Sequence, residues 1–113
     1  RAMAEAGRLT ERIAFDEVVE TQGEGGGTVS GFQERFVVWA RRRYLRGGEG
    51  VQAARLEGKQ PLILTIRRSS QSQLITPEWR ARDVRSGAVY EIRSVEPTED
   101  RRDFDLLCEI ENP

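Results

Sequence analysis

Short runs in which apolar and polar residues alternate recur along the chain, and this period of two predicts β-strands rather than long helices. The first run spans residues 8–20, with polar residues such as Asp16 on one parity and apolar residues on the other: Leu9, Ile13, Phe15 and Val19. A second run, residues 32–45, carries apolar residues on both parities. We therefore predict that this second strand is buried on both faces or is shifted by a β-bulge.

The second half of the chain predicts four more strands. Residues 62–68 alternate cleanly, and two short strands are joined around Ser86 and Gly87, a pair typical of a tight hairpin. In the last run acidic residues occupy one parity and apolar residues occupy the other: Phe104, Leu106, Cys108 and Ile110. Short strands at this spacing, without a long helix, predict an all-β fold that is either a small antiparallel β-barrel or a sandwich.

Glycine-rich and polar segments separate these runs. Residues 23–27 form a glycine-rich turn, and residues 46–60 form a long central loop that contains at most a short helical segment at 51–57. Such a segment is too short to be a stable helix in isolation. Residues 76–79 predict a single capped turn, in which Thr76 is the N-cap.

Composition narrows the chemistry of the chain. The length of 113 residues fits one domain, residues 1–113, in which residues 1–6 are expected to be a flexible N-terminus. The absence of histidine excludes Ser-His-Asp and Cys-His catalysis, and a single cysteine, Cys108, excludes an internal disulfide. No apolar run reaches the length of a membrane span. We therefore predict no enzyme activity, no catalytic residue, no metal, no cofactor and no membrane partner.

The formal net charge of −1 hides a segregation of charge along the chain. Residues 41–85 carry a local charge of +7, and the remaining residues carry −8. Two interpretations stay open. Strands from the two portions interleave and neutralise each other, or a basic surface meets a neighbour's acidic surface or a nucleic acid.

The most basic stretch supplies candidate residues for a subunit or adaptor interface: Arg41, Arg42, Arg43 and Arg46. On a strand, Arg41 and Arg43 share one face and Arg42 lies on the other. Arginine can contact phosphates or form paired hydrogen bonds with carboxylates, so residue type does not decide between these ligands. Of the two tryptophans, core packing is favoured for Trp39, whereas Trp79 is a further interface candidate.

A series of short motifs lies in a fixed order along nearly the whole chain. The first are Gly7-Arg8-Leu9, Arg12-Ile13, Gly25-Gly26-Gly27, Val38-Trp39-Ala40 and Ile66-Arg67. The later ones are Ile75-Thr76-Pro77 with Arg80, Gly87, Tyr90-Glu91-Ile92, Ser94-Val95, Arg101-Arg102 and Leu106-Leu107-Cys108. In this order and spacing they resemble the phage head-tail joining family, also described as head-closure or stopper proteins, with relatives in prophages and gene transfer agents.

This resemblance implies a small β-barrel that assembles into a ring at the head-tail interface of a tailed phage or gene transfer agent. Such a ring closes the DNA exit channel after packaging and provides the surface on which the tail docks. The implied partners are further copies of the chain, an adaptor or portal-side connector protein and a tail-terminator or tail-tube protein, with transient contact to packaged double-stranded DNA. The implied location is the head-tail junction of a particle assembled in the bacterial host cytoplasm.

Two glycine-rich hinges flank the weakly helical segment of the central loop. We therefore predict that this loop projects into the channel and moves between two positions, the alternative being an ordinary surface loop. The candidate channel residues are Gly47, Gly48, Gly50, Val51, Gln52, Arg55, Leu56 and Lys59.

An alternative function from a different class is a nucleic-acid-binding barrel of the oligonucleotide-binding type. Such a barrel needs aromatic side chains that stack on bases beside a basic strip. Tyr44 is the one aromatic residue inside the arginine run, and Trp39 is close to it in the sequence.

Overall fold

The computed structural model describes residues 9–111, so the predicted flexible N-terminus at 1–6 lies outside the described residues. Six strands form an antiparallel sheet that closes into a barrel in the order β1-β2-β3-β6-β5-β4. The strands are β1 Glu11–Gln22, β2 Thr28–Tyr44, β3 Lys59–Arg67, β4 Arg80–Asp83, β5 Val89–Pro97 and β6 Asp103–Glu111. Helix α1, Glu49–Leu56, lies between β2 and β3, and two short 3-10 turns occur at Glu24–Gly26 and Ser72–Leu74. The predicted all-β class, the antiparallel barrel and the short helical segment are confirmed.

The core of the barrel is built by the inward parity of the alternating runs. In β6, Phe104, Leu106 and Cys108 are buried, as the alternation predicts. The whole core cluster is Ile13, Phe15, Phe36, Ala40, Leu62, Leu64, Ile66, Ile75, Trp79, Ala81, Tyr90, Ile92, Phe104, Leu106 and Cys108. These residues come from all six strands and from the turn before β4, so every strand of the barrel contributes to one core.

The two tryptophans occupy the opposite environments to those predicted. Trp79 is 7% exposed and its ring centroid lies 5.9 Å from that of Phe36, so it is a core residue and the prediction of an interface role for it is wrong. The physical cause is the capped turn, which is confirmed: the Thr76 hydroxyl accepts a hydrogen bond from the Glu78 N–H, and the Trp79 N–H donates to the Thr76 carbonyl. Trp39 is 49% exposed, because it lies on the outward parity of β2 next to buried Ala40.

A bulge explains the mixed parity of the second run. Phe15 pairs with Phe36 but the next residue, Asp16, pairs with Glu34, so Arg35 is the extra residue on β2. Of the two predicted explanations, the structure shows the bulge. Because of this extra residue, even-numbered residues of β2 face the core after the bulge, as Phe36 and Ala40 do. Before the bulge an even-numbered residue, Glu34, is exposed.

The longest hairpin extends past the barrel. Strand β1 pairs with β4 only as far as Asp16, and β2 pairs with β3 only from Ala40 onwards. Residues 17–33, which we call the arm, therefore form a two-stranded ribbon that is paired only with itself within the described chain. The sequence predicted shorter strands here, ending at residue 20 and resuming at residue 32. The ladder in fact runs to the pair of Gln22 with Thr28.

Candidate functional site

The central loop leaves the barrel from a fixed neck between β2 and β3. The Leu45 N–H donates to the Pro61 carbonyl at 3.0 Å, and the Gln60 side-chain amide donates to the carbonyls of Leu45 and Pro61, each at 2.8 Å. The loop itself is shorter than predicted, because β3 begins at Lys59 and not after residue 60. Lys59 pairs with Glu111 of β6, so its placement among the channel-loop residues is corrected: it belongs to the barrel wall.

Helix α1 is the central element of this loop and has no buried residue. Leu56 at its C-terminal end is 88% exposed, which is unusual for the leucine of a helix that packs on its own domain. Gly48 before the helix and Gly58 after it have φ values of 100° and 82°, which favour glycine. The helix is thus attached through two permissive glycines and holds little packing energy against the barrel.

The structure places the remaining candidate channel residues on this excursion. Val51 is half-buried and Gln52, Arg55 and Leu56 are exposed. The Arg55 carbonyl accepts a hydrogen bond from the Gly58 N–H at 3.0 Å, which closes the C-terminal end of the helix. Gly47, Gly48 and Gly50 are exposed at its beginning.

The arginine strip divides into two faces, as strand parity predicts. Arg42 belongs to an internal polar network: its guanidinium donates to the Asp83 carboxylate and to the Tyr90 hydroxyl, each at 3.0 Å, and lies 3.4 Å from Glu11. Burial acts to raise the pKa of Asp83, but the N–H groups of Arg85 and Ser86 and the Arg42 guanidinium outweigh it and lower that pKa below its usual value. Arg42 is therefore a structural residue that ties β2 to β4 and β5.

The other face of β2 is directed outward. Arg43 is exposed, as is Arg46 just beyond the strand, and neither forms an ion pair with another residue of the described range. Arg41 is half-buried beside a cleft of about 410 Å³ that is otherwise mainly polar and acidic, including Thr65, Asp103 and Asp105. Of the predicted strip, Arg43 and Arg46 are the residues available to a partner.

A second cluster, which the sequence analysis missed, lies where the arm joins the barrel. Asp16 is 2% exposed and accepts hydrogen bonds from Nε of Arg80 at 2.8 Å and from Nε and Nη2 of Arg82 at 3.2 Å each. Nη2 of Arg82 also donates to Glu34 at 2.7 Å. Burial acts to raise the pKa of Asp16, but the hydrogen bonds and charges of Arg82 and Arg80 outweigh it and lower that pKa. The cluster fixes both strands of the arm to β4.

Strand pairing neutralises part of the charge segregation seen in the sequence. Basic residues of β3 lie beside acidic residues of β6, with Arg67 at 3.6 Å from Asp103 and Lys59 at 4.0 Å from Glu109. The arginines of β4 pair with Asp16 on β1. The interleaving interpretation is therefore correct for these strand pairs, while exposed charge persists on Arg43 at the outer face of β2, on Arg46 just beyond that strand and on the arm.

The exposed aromatic residues do not form a shared stacking surface. Trp39 and Tyr44 lie on opposite parities of β2, and each has an arginine over its ring: Arg12 at 4.7 Å from the Trp39 centroid and Arg42 at 5.5 Å from that of Tyr44. A barrel that binds single strands needs its aromatic rings on one face and free to stack on bases. This geometry does not favour the nucleic-acid-binding alternative.

Residues 9–111 contain neither a cluster of metal-ligating side chains nor a membrane-spanning helix. No group of three or more histidine, cysteine or carboxylate side chains is arranged to hold a metal ion in that range. The same range contains no helix of the length and hydropathy required to cross a membrane.

Comparison with known proteins gives a family and a fold. A family model described as phage head completion protein matches residues 4–111. A chain in the virion of a native gene transfer agent particle is similar, with 19% identity, a TM-score of 0.64 and 90% of this chain and 94% of that chain covered. The solution structure of protein SF1141 from Shigella flexneri 2a is similar at 20% identity, with a TM-score of 0.70 and 92% and 94% covered. Among curated proteins, none matches significantly. At these identities the two structures are evidence for the fold.

Proposed function

Because this chain belongs to the phage head completion protein family, we propose that it forms a ring at the head-tail interface of a tailed phage or gene transfer agent. In this role the ring closes the DNA exit channel after packaging and offers the tail a docking surface. The coarse assignment, a structural protein of the virion, rests on family membership. The mechanism is assembly and involves no bond chemistry.

The closing role is supported chiefly by helix α1, which is exposed and is attached to the barrel through Gly48 and Gly58. Helix α1 has no buried residue, so a change in its position breaks few contacts with the barrel. The neck at Leu45 and Pro61 stays fixed by main-chain and side-chain hydrogen bonds while the helix moves. A loop of this kind has two ends held by a rigid barrel and a middle that can occupy an open or a closed position in the channel.

Contacts of this loop with packaged DNA would be brief and independent of base sequence. Arg55 is exposed in the last turn of the helix, where it can neutralise a phosphate. Leu56 beside it is exposed and apolar, so it supplies the surface by which loops of neighbouring copies meet in the closed position.

The proposed partners are those that the resemblance to this family implies. Further copies of the chain form the ring, an adaptor or portal-side connector protein lies on the head side, and a tail-terminator or tail-tube protein lies on the tail side. Arg43 and Arg46 are exposed and without ion pairs in the described chain, which supports an interface role for them. The place of action is the head-tail junction of a particle assembled in the host cytoplasm.

Electron microscopy of particles made with the gene deleted tests the ring and its location. We expect separate tails beside heads that are tailless, leaky or empty, and recovery of whole particles with the wild-type gene. Normal tailed, DNA-filled particles from the deletion strain would contradict the proposed function. Tight binding of the isolated protein to single-stranded DNA, with a steep dependence on salt, would instead favour the nucleic-acid-binding barrel.

A second experiment tests the closing loop separately. Residues 51–57 are replaced by a glycine-serine segment of equal length, and Leu56→Ser is made as a point variant with Leu74→Ser as its control. Both leucines are exposed, so neither point variant should alter folding. We expect lower DNA retention with the replaced segment and with Leu56→Ser, and unchanged retention with Leu74→Ser. Undiminished retention in all three would remove the gating role and leave the ring in place.

A further inference from the structure

The arm presents a surface that its own chain covers only in part. An isolated two-stranded ribbon is marginally stable in water, yet residues 17–33 extend beyond the barrel as such a ribbon. Val18 pairs with Phe32, and both share one face of the ribbon with Glu20. Phe32 is 45% exposed although it is the largest apolar side chain of the arm, and the Arg80 guanidinium lies over its ring at 4.2 Å from the centroid. This face is therefore apolar near the barrel and acidic further out.

The outer part of the arm carries negative charge without compensation. At its base, Glu17 is paired with Arg35 at 2.8 Å and Glu34 with Arg82 at 2.7 Å. Glu20 and Glu24 are exposed, and neither has a cationic partner in the described part of the chain. A partner surface for the arm must therefore be basic as well as partly apolar.

A surface of that description lies on the outside of the same barrel. Arg43 on β2 is directly paired with Ile63 on β3, and Ile63 with Leu107 on β6, so the three residues form one row across adjacent strands. Arg43 and Leu107 are exposed and Ile63 is half-buried. Arg46, also exposed, follows at the end of β2. We call Arg43, Arg46, Ile63 and Leu107 the receptor row.

We propose that the arm of one copy lies on the receptor row of a second copy of this chain. Phe32 and Val18 then cover Ile63 and Leu107, while the outer glutamates lie beside the arginines: Glu20 and Glu24 against Arg43 and Arg46. When the arm of each copy lies on the row of a different neighbour, the contact is heterologous and repeats from copy to copy, which generates a ring when the rotation closes. This inference rests on the ring proposed above and names the surfaces that build it.

Disulfide trapping with two single-cysteine variants tests the contact. Full-length Glu20→Cys protein and Arg43→Cys protein, carrying tags of different mass, are mixed and oxidised. The native Cys108 does not interfere, because it is buried and its thiol pKa is raised to about 12. We expect the heterodimer to dominate the mixture and each variant alone to give little homodimer. Glu96→Cys, at an exposed position of β5 three strands away from Arg43, replaces Arg43→Cys as the control and should give little heterodimer.

Charge exchange supplies the second readout. The variant Glu20→Arg with Glu24→Arg and the variant Arg43→Glu with Arg46→Glu should each lose self-association, and their mixture should recover it. Monomer in every mixture, or equal trapping with the Glu96→Cys control, would overturn the inference. Trapping of Glu20→Cys on a connector or tail protein in assembled particles would assign the arm to that partner and also overturn it. The ring itself is tested by microscopy of the particles, so the two failures are distinguishable.

Discussion

Replacement of Asp16 with asparagine tests the cluster that holds the arm to the barrel. Asp16 is buried and accepts three hydrogen bonds from Arg80 and Arg82. Asparagine keeps the shape but loses the charge, and it turns an amide N–H₂ toward a guanidinium that can only donate. Removal of one partner from a buried ion pair costs roughly 3–5 kcal/mol, and we expect about 3 kcal/mol because the arginines are about one-third exposed. For a domain of this size that is a decrease in Tm of about 12 °C.

The pH dependence of this loss has a definite sign. The folded-state pKa of Asp16 lies below its unfolded value, so its carboxylate contributes stability above the unfolded pKa and loses that contribution as pH falls through the folded pKa. The asparagine variant has no such contribution at any pH. The difference in unfolding free energy between wild type and Asp16→Asn should therefore be largest near neutral pH and shrink on acidification below about pH 4.

Urea denaturation at neutral and acidic pH measures both effects. Glu34→Gln is the matched control, because Glu34 is the other acceptor of Arg82 but its side chain is about half exposed. An exposed pair contributes under about 1 kcal/mol, so the control should lose little stability. Equal losses in the two variants, or a loss in Asp16→Asn that stays constant on acidification, would refute the assignment of Asp16 as the anchor of the arm.

Three further predictions concern the core, the loop and the thiol. Trp79→Ala should cost roughly 4 kcal/mol because Trp79 is a core residue, whereas Trp39→Ala should cost under about 1 kcal/mol; equal losses in urea denaturation would contradict their assigned environments. Gly58→Ala should lower stability by about 1 kcal/mol because of its φ of 82°, whereas Gly50→Ala in α1 should raise it by about 0.5 kcal/mol, with opposite shifts in Tm. The buried Cys108 thiol, with its pKa raised to about 12, should react with a thiol reagent only after unfolding, and fast labelling of the folded protein would contradict its burial.

Alternation predicted the strands because it reports which residues face a core. It succeeds in β6, where one side of the strand is buried and the other is polar. It is ambiguous in β2, where the extra residue Arg35 shifts the parity partway along the strand. It also fails to separate Trp39 from Trp79, since the outward direction of Trp39 depends on the register beyond that bulge and the inward direction of Trp79 depends on a turn.

The arm and its anchor could not be predicted from local pattern for two different reasons. No residue of the arm is fully buried, so its strands carry no burial signal although their ladder is continuous from the bulge to Gln22 and Thr28. The anchor joins Asp16 to Arg80 and Arg82, which follow it in the chain by 64 and 66 positions. Nothing near Asp16 in the sequence indicates that it contacts such distant residues. A charged residue inside an apolar run was the available signal, and by itself it indicates a polar strand face equally well.

The charges that remain after barrel closure select the kind of oligomer. A two-fold contact between arms would bring Glu20 and Glu24 of one copy against the same residues of the other, and a two-fold contact between receptor rows would do the same with Arg43 and Arg46. Like charges in contact oppose both arrangements, whereas arm against row brings opposite charges together. Electrostatics therefore disfavours contacts of arm with arm and of row with row and favours arm on row, which is the head-to-tail contact of a ring when each copy receives the arm of a different neighbour. Since these charges are exposed, raised salt should weaken the association, and self-association that is unchanged between low and high salt would show that the arm is held by its apolar face alone.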